Sequence, residues 1–499
     1  MTKRMKGLLA GVAVLLAAGG GMAALLLTQP EPKDDTSSDT EDTSTPLWHA
    51  HSDEISRIEV QNPNGDSYTA NRTVKQEETT DENGETVTED VTVYALEGYE
   101  KLPVEDYVVE TLATRAPELS SISTIVENAT DEDMALYGLD KPIKVKFTVD
   151  NADPIVFYVG KISTRSTYSY LRLDNDKRIF MVESSAVDVF RRNIKEYLSK
   201  TLTEEYDKEK KGSQVENIRM HRTDLPYDIY CEFDQYYQEH NVGGGSALHR
   251  MKEPRECLLS PEKSHKFTHG LYGLSASEVV KPFPTDEDKK TYGLDEPFAE
   301  VTMVTQDGKT TKFLIGKNYE DKDGNKLWYG YLDTIDCVYG FSTENAAYIN
   351  LKVDDIRAKI VVDSYVWDIG KMTYEADGKK WEFEGKGSNA DDFILNYNGK
   401  SYENLERYRL LYTFLLKTSA EDLLLEDVTP TGSPMATVKV EEQNDARKYQ
   451  IDFYDAGGMK AYIAVDGKVL FTCRKSFVNT LIQNLNMFED ETKEFIMSW

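Results

Sequence analysis

Two copies of one sequence motif constrain this chain more than any other feature. The stretch from Leu119 to Pro142 reads LSSISTIVENATDEDMALYGLDKP, and the stretch from Leu274 to Pro297 reads LSASEVVKPFPTDEDKKTYGLDEP. The two stretches align without a gap. Repetition on this scale is typical of chains built from tandem copies of one structural unit. The length of 499 residues is also too great for one hydrophobic core, so we expect several modules.

Both copies continue in the same way after the motif. An alternating strand pattern is followed by a second apolar strand that ends in Gly-Lys, at 160–161 and at 316–317. A tyrosine-rich strand, a short strand and a capped helix complete each copy. The predicted N-caps of these closing helices are Ser184 or Ser185 in the first copy and Ser342 or Thr343 in the second.

A third, degenerate copy follows the second. Apolar residues alternate at 436–440, 449–453 and 462–465, and a closing helix is predicted after Ser476, but residues 429–434 replace the motif. Opening strands are predicted from Ile55, Val215 and Ile369, and apolar stripes predict helices over 104–112 and 405–415.

The sequence therefore predicts an α+β fold of tandem modules after an N-terminal transmembrane helix, each module an antiparallel sheet with one or two helices. The acidic stretch at 76–90 and the stretch at 233–270 read as surface insertions. The predicted units are an anchor at 1–28, a disordered acidic stalk at 29–51, and modules at 52–204, 205–360 (with the inserted loop 233–270) and 361–499.

The N-terminal segment predicts the location. Lys3, Arg4 and Lys6 precede an uncharged apolar stretch from Gly7 to Leu27, about the twenty residues that a helix needs to cross a membrane. Basic residues stay in the cytoplasm. We therefore expect a single-pass protein of the cell membrane with a cytoplasmic N-terminus and an extracytoplasmic bulk; a cleaved signal peptide is the alternative.

Charge and cysteine content exclude two classes of protein. The formal net charge of -30 repels phosphate backbones, so nucleic acid is not a partner. The cysteines are few and widely spaced, which supports neither a zinc finger nor a dense disulfide framework. We expect buried thiols, although an even number also permits bridges. The residues concerned are Cys231, Cys257, Cys337 and Cys473.

The repeated motif itself is the first candidate site. Asp140 and Asp295 could reach a cation or an amine, but a structural role explains the motif better: glycine permits positive φ, aspartate can bond backbone amides, and proline starts a strand. The motif residues are Tyr137, Gly138, Leu139, Asp140 and Pro142 in the first copy and Tyr292, Gly293, Leu294, Asp295 and Pro297 in the second.

A second candidate is a group of potential soft ligands in and beside the second insertion: Cys231, His240, His249, Cys257, His265 and His269. Their spacings match no metal-ligand pattern, and three glycines at 243–245 indicate a solvated loop. Gly-Lys-Thr at 308–310 and Gly-Lys-Ser at 399–401 lack the further glycine of a phosphate loop and read as hairpin turns. We predict no metal and no cofactor.

Aromatic and acidic residues leave two further alternatives open. Trp48, Trp328, Trp367 and Trp381 could line a glycan groove, although aromatic residues on strands are more often core. Neither a nucleophile elbow nor a zincin helix occurs. A hydrolase with paired carboxylates remains an alternative, but 88 acidic residues make some such pair inevitable.

The repeat, the anchor and the Gly-Lys turn together resemble the domain-of-unknown-function family 4340, most clearly through the motif at 137–142 and at 292–297. The resemblance implies a bacterial envelope protein, often found beside transporter and gliding-type export components, without assigned catalytic residues. We therefore expect a non-catalytic accessory or scaffold component of a membrane transport or export system, with a transporter permease or another envelope protein as partner. The alternatives are a binding module for cell-wall glycan or another ligand, and the hydrolase.

Overall fold

The computed structural model describes residues 45–80, 86–115, 118–164, 167–239, 247–443 and 446–499. The predicted anchor and residues 29–44 of the predicted stalk lie outside these ranges. No helix within them is long and apolar enough to cross a membrane. The end of the predicted stalk is ordered, because Thr45–His49 forms a strand.

The elements fall into three regions along the chain. The first region contains β1 (Thr45–His49), β2 (Ile55–Gln61), β3 (Tyr68–Thr80), β4 (Thr86–Leu96), α1 (Asp106–Thr114), β5 (Glu118–Ser121), β6 (Ser123–Val126), α2 (Asp131–Leu136), β7 (Ile143–Val149), β8 (Ile155–Ile162), β9 (Tyr168–Leu173), β10 (Ile179–Glu183) and α3 (Ser184–Val187). The second region contains β11 (Val215–Arg222), β12 (Ile229–Phe233), α4 (Gln235–Glu239), β13 (His249–Glu253), β14 (Cys257–Leu258), α5 (His265–Thr268), β15 (Glu278–Pro282), α6 (Asp286–Tyr292), β16 (Ala299–Thr305), β17 (Thr310–Glu320), β18 (Lys326–Leu332), β19 (Cys337–Phe341) and α7 (Val353–Ile356). The third region contains β20 (Ile369–Ala376), β21 (Lys379–Lys386), β22 (Ile394–Tyr397), β23 (Lys400–Tyr402), α8 (Leu405–Leu416), β24 (Ala436–Glu442), β25 (Lys448–Asp455), β26 (Lys460–Val465), β27 (Lys468–Arg474) and α9 (Lys475–Asn486). Single turns of 3-10 helix lie at Ser52–Glu54, Asp188–Arg191, Ile194–Tyr197 and Ala347–Ile349.

Each region forms one large antiparallel sheet of the same plan. The strand orders are β4-β3-β2-β7-β8-β9-β10-β6, then β14-β13-β12-β11-β16-β17-β18-β19-β15, then β23-β22-β21-β20-β24-β25-β26-β27. In every sheet an opening meander and a closing meander meet at their first strands, as in the β2–β7, β11–β16 and β20–β24 pairs. The prediction of antiparallel sheets is therefore confirmed. The prediction of one or two helices in each module is not, because among the described residues the first region has three short α-helices and the second has four.

A shared irregularity marks the three opening strands as equivalent. The register shifts just after Ile55 in β2, after Val215 in β11 and after Ile369 in β20. An extra residue at such a point bends a strand and increases its twist. Each of these first residues is itself buried. All three sheets therefore begin with the same bulged strand.

The strands bury alternate residues, as the sequence predicts. In β7 and β16 every second side chain is buried, so one sheet face lies on the core and the other is partly exposed to water. The first region has its own core. The second and third regions share one continuous core, into which Leu102, Leu198 and Leu202 of the first region also extend.

Two of the predicted closing helices are broken. The first is divided into α3 and two 3-10 turns, because Asn193 ends the run and caps the next turn through its side chain. The second is divided into the turn at Ala347–Ile349 and α7, which a capping contact from the Lys352 amide to Asp355 starts afresh. The third closing helix, α9, and the predicted helices α1 and α8 are continuous.

Neither predicted insertion is a plain surface loop. Residues 76–90 lie largely in the long β3–β4 hairpin. The stretch 233–270 contributes β13 and β14 to the second sheet, and α5 follows them where α1 and α8 follow the opening meanders of the other regions. The glycines at 243–245 favoured a loop in the prediction from sequence. That prediction missed the strands that follow them, because β13 has only five residues.

Candidate functional site

The repeated motif packs against the Gly-Lys pair of its own copy, which is not a turn but a break in register within β8 or β17. Gly138 has a φ of +69°, and a Cβ there would lie 2.9 Å from the backbone nitrogen of Lys161, which donates to the carbonyl of Tyr137. Gly293 has a φ of +70°, and Lys317 donates to two carbonyls at the end of α6. Both conformations favour glycine.

The other motif residues divide into buried and exposed ones. Leu139 and Leu294 are buried, whereas Pro142 and Pro297 are half-buried just before the strands β7 and β16. The tyrosines pack on equivalent tyrosines of the next meander, with ring centroids 4.6 Å apart for Tyr137–Tyr170 and 4.5 Å for Tyr292–Tyr329. These contacts pack each motif against the closing meander of its own region.

The aspartates of the motif behave differently from the prediction. Asp140 and Asp295 are exposed, and neither forms a hydrogen bond or an ion pair with the residues that the structure describes. The interpretation that they bond nearby amides is therefore wrong. The carboxylates that do bond amides lie earlier in the repeat, where Asp133 and Asp288 form capping boxes with Thr130 and Thr285. Hydrogen bonds from the threonine amides lower the pKa of both aspartates.

The cysteines are buried thiols, as expected. All four are unpaired within the described structure. Cys231 in β12 and Cys257 in β14 lie on either side of Met251 in β13. Burial raises the pKa of Cys257 to about 12, so its thiol stays protonated and unreactive.

The histidines of this stretch form a packed cluster and not a solvated loop. His249 and His269 are buried, with ring centroids 5.5 Å apart, and the exposed His265 stacks on His269 at 4.6 Å. Burial lowers the pKa of His249 to about 4 and that of His269 to about 3. Across the described ranges no group of three His, Cys, Asp or Glu residues could hold a metal ion, and His240 lies outside those ranges.

Of the four tryptophans considered for a glycan groove, two are core residues. Trp367 and Trp381 are buried in the core that the second and third regions share. Trp48 and Trp328 are half-buried and stack on Phe157 at 4.6 Å and on Phe298 at 4.5 Å. Trp367 and Trp381 therefore do not line a surface groove for glycan.

A connecting segment joins each region to the next by backbone pairing on both sides. At the first junction, residues 197–202 lie between the approach to α1 and the segment after α5. At the second junction, residues 356–359 lie between the approach to α5 and the segment after α8. The first junction is formed by Glu105 N to Tyr197 O (2.9 Å), Ser199 N to Pro103 O (2.9 Å), Ala276 N to Lys200 O (2.7 Å) and Leu202 N to Leu274 O (2.8 Å). The second is formed by Ser260 N to Ile356 O (2.8 Å), Ala358 N to Leu258 O (2.8 Å) and Ala420 N to Lys359 O (3.0 Å).

The first region repeats this plan without a preceding module. There β1 pairs antiparallel with β5, the segment that follows α1. The segments after α5 and α8 bond a connecting segment in the same way. Thr45–His49 therefore fills for the first region the place that a connecting segment fills for the second and the third.

Of the two junctions, as far as their residues are described, only the second contains a buried ion network. Asp363 accepts hydrogen bonds from Arg447 (2.8 and 3.1 Å) and from Arg250 (3.2 Å), which also binds Asp234 at 2.9 Å. Arg447 binds Glu442 as well, at 2.8 Å. The side chains of Asp363 and Glu442 are only 5% and 2% exposed, whereas those of the two arginines are 20% and 21% exposed. The two arginines are therefore more exposed to water than Asp363 and Glu442.

Hydroxyl groups complete the network. Ser364 donates to Glu442 at 2.6 Å and contacts the hydroxyl of Tyr449 at 2.8 Å. Tyr236 of the second region also donates to Glu442. Burial and these carboxylate contacts raise the pKa of Tyr236 well above its usual range. Every carboxylate of the network is thus engaged, as buried charges must be.

The network forms the floor of a cleft of about 620 Å³ between the second and third regions. This is the size of a small-molecule binding site. The basic residues that line the cleft are Arg250, Lys252, Arg255, Arg447, Lys448 and Lys468. The acidic residues that line it are Asp234, Glu256, Asp363 and Asp466. Basic residues are the majority here, although the whole chain has 58 basic and 88 acidic residues.

Sequence reasoning missed this site. One signal was present: in β24 the core-facing positions are Ala436, Val438, Val440 and then Glu442. A carboxylate at a core position of a strand needs a buried partner. The alternating pattern could therefore have identified Glu442, but not its partners Arg447 and Tyr236.

Comparison with known proteins identifies the family. The family described as "Domain of unknown function (DUF4340)" matches residues 95–297 and residues 250–443. The chain belongs to this family. No curated protein and no solved structure matches it.

The two family matches are offset from the three sheets. Each runs from the end of one opening meander into the next region, so each contains one complete junction. The junction is therefore part of the unit that defines the family, whereas Arg447 and Lys468 of the cleft lie beyond both matches.

Proposed function

We propose that this protein is a non-catalytic, membrane-anchored extracytoplasmic component that assists or scaffolds a membrane transport or export system. In this proposal three tandem modules, each built on one antiparallel sheet, project from the N-terminal helix at 7–27. The partner is a transporter permease or another envelope protein.

The second junction carries the proposal. A scaffold has to hold its binding surfaces at fixed positions. The second and third regions share a core, are joined by backbone pairing through residues 356–359, and are cross-linked by the Arg250–Asp363–Arg447 network. Large apolar interfaces between regions of one chain suppress their relative motion. This construction favours a rigid body that presents surfaces over one that opens and closes on a substrate.

Site-specific cross-linking tests the proposal. Photoreactive residues would replace one exposed side chain in each region of the full-length protein: Tyr107 (69% exposed), Phe283 (40%) and Met459 (87%). After irradiation in native membranes, mass spectrometry would identify what is attached. We expect one region to capture a permease or another envelope protein reproducibly. Capture of wall polymer alone, or of nothing, at all three positions would contradict the proposal.

The non-catalytic part of the proposal needs its own test. The purified full-length chain would be incubated with cell-wall fragments, and new reducing ends or free amines would be measured. We expect no turnover. Turnover that is lost on replacement of a carboxylate pair would favour the hydrolase instead.

One observation favours a second candidate, a glycan-binding module. The half-buried ring of Tyr329 stacks on Tyr319 at 4.2 Å and packs against Tyr292 at 4.5 Å, and Tyr319 donates to Glu278 at 2.6 Å. Aromatic rings beside a carboxylate can bind sugar rings. In a pull-down with wall glycan, Tyr329→Ala would reduce binding only if this cluster binds glycan. Tyr170→Ala is the matched control, because Tyr170 has the same place in the first region.

A further inference from the structure

We propose that the cleft at the second junction binds a small ligand that carries an oxyanion, either a carboxylate or a phosphate ester. This site is independent of the proposed scaffold role, because it depends only on the side chains that line the cleft.

The floor of the cleft holds two arginine side chains in fixed positions. Asp363 accepts hydrogen bonds from both Arg250 and Arg447. The rings of Tyr236 and Tyr449 pack against Arg447, whose guanidinium carbon lies 5.3 and 5.0 Å from their centroids. Arginines held in this way lose little further entropy when they bind a ligand. Their carboxylate partner is covered, while about a fifth of each arginine side chain stays exposed.

The rim adds one further cation. Lys468 is exposed at the start of β27 and forms no ion pair with any part of the chain that the structure describes. The neighbouring Lys252 binds Glu256 at 2.7 Å, and Arg255 binds Asp427 at 2.7 Å. Lys468 is therefore the rim group best able to bind an incoming anion.

Each acidic residue of the lining is already engaged by another group. Asp234 and Asp363 are bound by Arg250, and Glu256 is bound by Lys252. Asp466 uses one carboxylate oxygen to accept the backbone N–H of Gln450 at 2.8 Å. A ligand therefore meets two arginine side chains that are each about a fifth exposed, and one ammonium group without an ion pair. Guanidinium groups bind carboxylate and phosphate groups through paired hydrogen bonds.

Calorimetric titration of the full-length protein tests the inference. The probes are inorganic phosphate, glycerol 3-phosphate and glucuronate, each at low and at high NaCl concentration. We expect saturable binding of at least one probe that weakens as salt rises. Stronger binding of glycerol 3-phosphate or of glucuronate would identify the ligand as a phosphate ester or as a sugar acid. Equal binding of inorganic phosphate and glycerol 3-phosphate would show that the phosphate group alone is recognised.

Two variants separate this site from non-specific charge. Lys468→Gln should weaken binding roughly tenfold, the effect of one lost charge-assisted hydrogen bond, and Lys468→Arg should restore it. Lys312→Gln is the control, because Lys312 is a lysine of the second sheet that does not line the cleft. Absence of saturable binding for all three probes would overturn the inference. Equal affinities of the wild type and Lys468→Gln would overturn it as well.

Discussion

The two junctions of this protein share a backbone plan and differ in their side chains. In each junction, the backbone of a connecting segment pairs with the residues just before one helix and with the residues just after another helix. Leu198 at the first junction and Arg357 at the second occupy the same place, opposite Val104 and Leu259. Leu198 is buried in the apolar core, whereas Arg357 is equally buried but donates to the carbonyls of Ala420 and Glu421.

The difference extends to the surroundings of each segment. At the first junction the further contacts are largely apolar, such as the packing of Tyr99 on Phe283 at 5.4 Å. At the second, the ion network of Asp363 and Arg447 lies between the sheets. Apolar contacts tolerate small shifts, whereas a buried ion pair tolerates only one geometry. Backbone pairing therefore fixes the order of the regions, and the side chains determine how tightly each pair of regions is held.

The largest effect should follow the loss of Arg447. Arg447→Met removes the guanidinium group but leaves Asp363 and Glu442 buried without it. Breaking a buried pair in this way costs about 3–5 kcal/mol. We expect the free energy of unfolding of the second and third regions, measured by urea denaturation, to fall by that amount, and their common transition to split in two.

Arg409→Met provides the control for this experiment. Arg409 lies on α8 and pairs with Glu406, but both side chains are more than half exposed. Exposed pairs of this kind contribute about 0–1 kcal/mol. If the two variants lose the same stability, the network does not hold the second junction.

The second-largest effect should be a loss of stability at acidic pH that leaves the first region unchanged. An unfolded histidine takes up a proton near pH 6.5, whereas in the folded protein burial lowers the pKa of His249 to about 4 and of His269 to about 3. Between these values the unfolded state binds more protons, so stability falls as the pH decreases from about 6.5 toward 4. Urea denaturation at pH 7.5 and 4.5 should show a loss of about 2–3 kcal/mol per buried imidazole.

Replacement of single histidines isolates this effect from the titration of carboxylates. His249→Gln should make the stability of the second region less dependent on pH in this window. His265→Gln should not, because His265 is exposed. An equal pH dependence in the wild type and in His249→Gln would contradict the assignment.

Much of the sheet structure could be predicted because its signals are local. Alternating burial in β7 and β16 and the apolar stripes of α1 and α8 each depend on fewer than about fifteen neighbouring residues. The repeat then extended these predictions from one copy to the next. The domain boundaries at 204–205 and 360–361 stay a prediction, and the family matches cross both of them.

The cleft could not be predicted because its parts are distant in sequence. Arg250 and Asp363 are separated by 113 positions, and Tyr236 and Glu442 by 206. No motif spans such distances, and the opposed charges of the network look like ordinary surface residues in a chain that is 29% charged. The histidine cluster was misread for a related reason. Sequence spacing suggested ligands in a loop, but strand pairing buries His249 on one side of β13.

A third test replaces a polar side chain of the second junction by the apolar side chain found at the same place in the first. Arg357→Leu places at this position the side chain that the first junction uses, and leaves the carbonyls of Ala420 and Glu421 without their donor. An unsatisfied buried carbonyl costs about 1–3 kcal/mol, part of which the new apolar contact offsets. We expect a loss of about 2 kcal/mol in urea denaturation. No loss would mean that the carbonyls find other donors and that the two junctions are interchangeable.

The smallest effect should come from the first junction. Phe283 is 40% exposed and packs on Tyr99 across the boundary between the first and second regions. An aromatic pair of this kind contributes about 0.5–1.5 kcal/mol beyond the area that it buries. Phe283→Ala should therefore lower the stability of the first junction by about 1 kcal/mol, and limited proteolysis near residues 203–212 should become faster. The urea transition of the second and third regions should not move. If it does, the two junctions are coupled, and the apolar contact at one end of the second sheet helps to hold the ion network at the other.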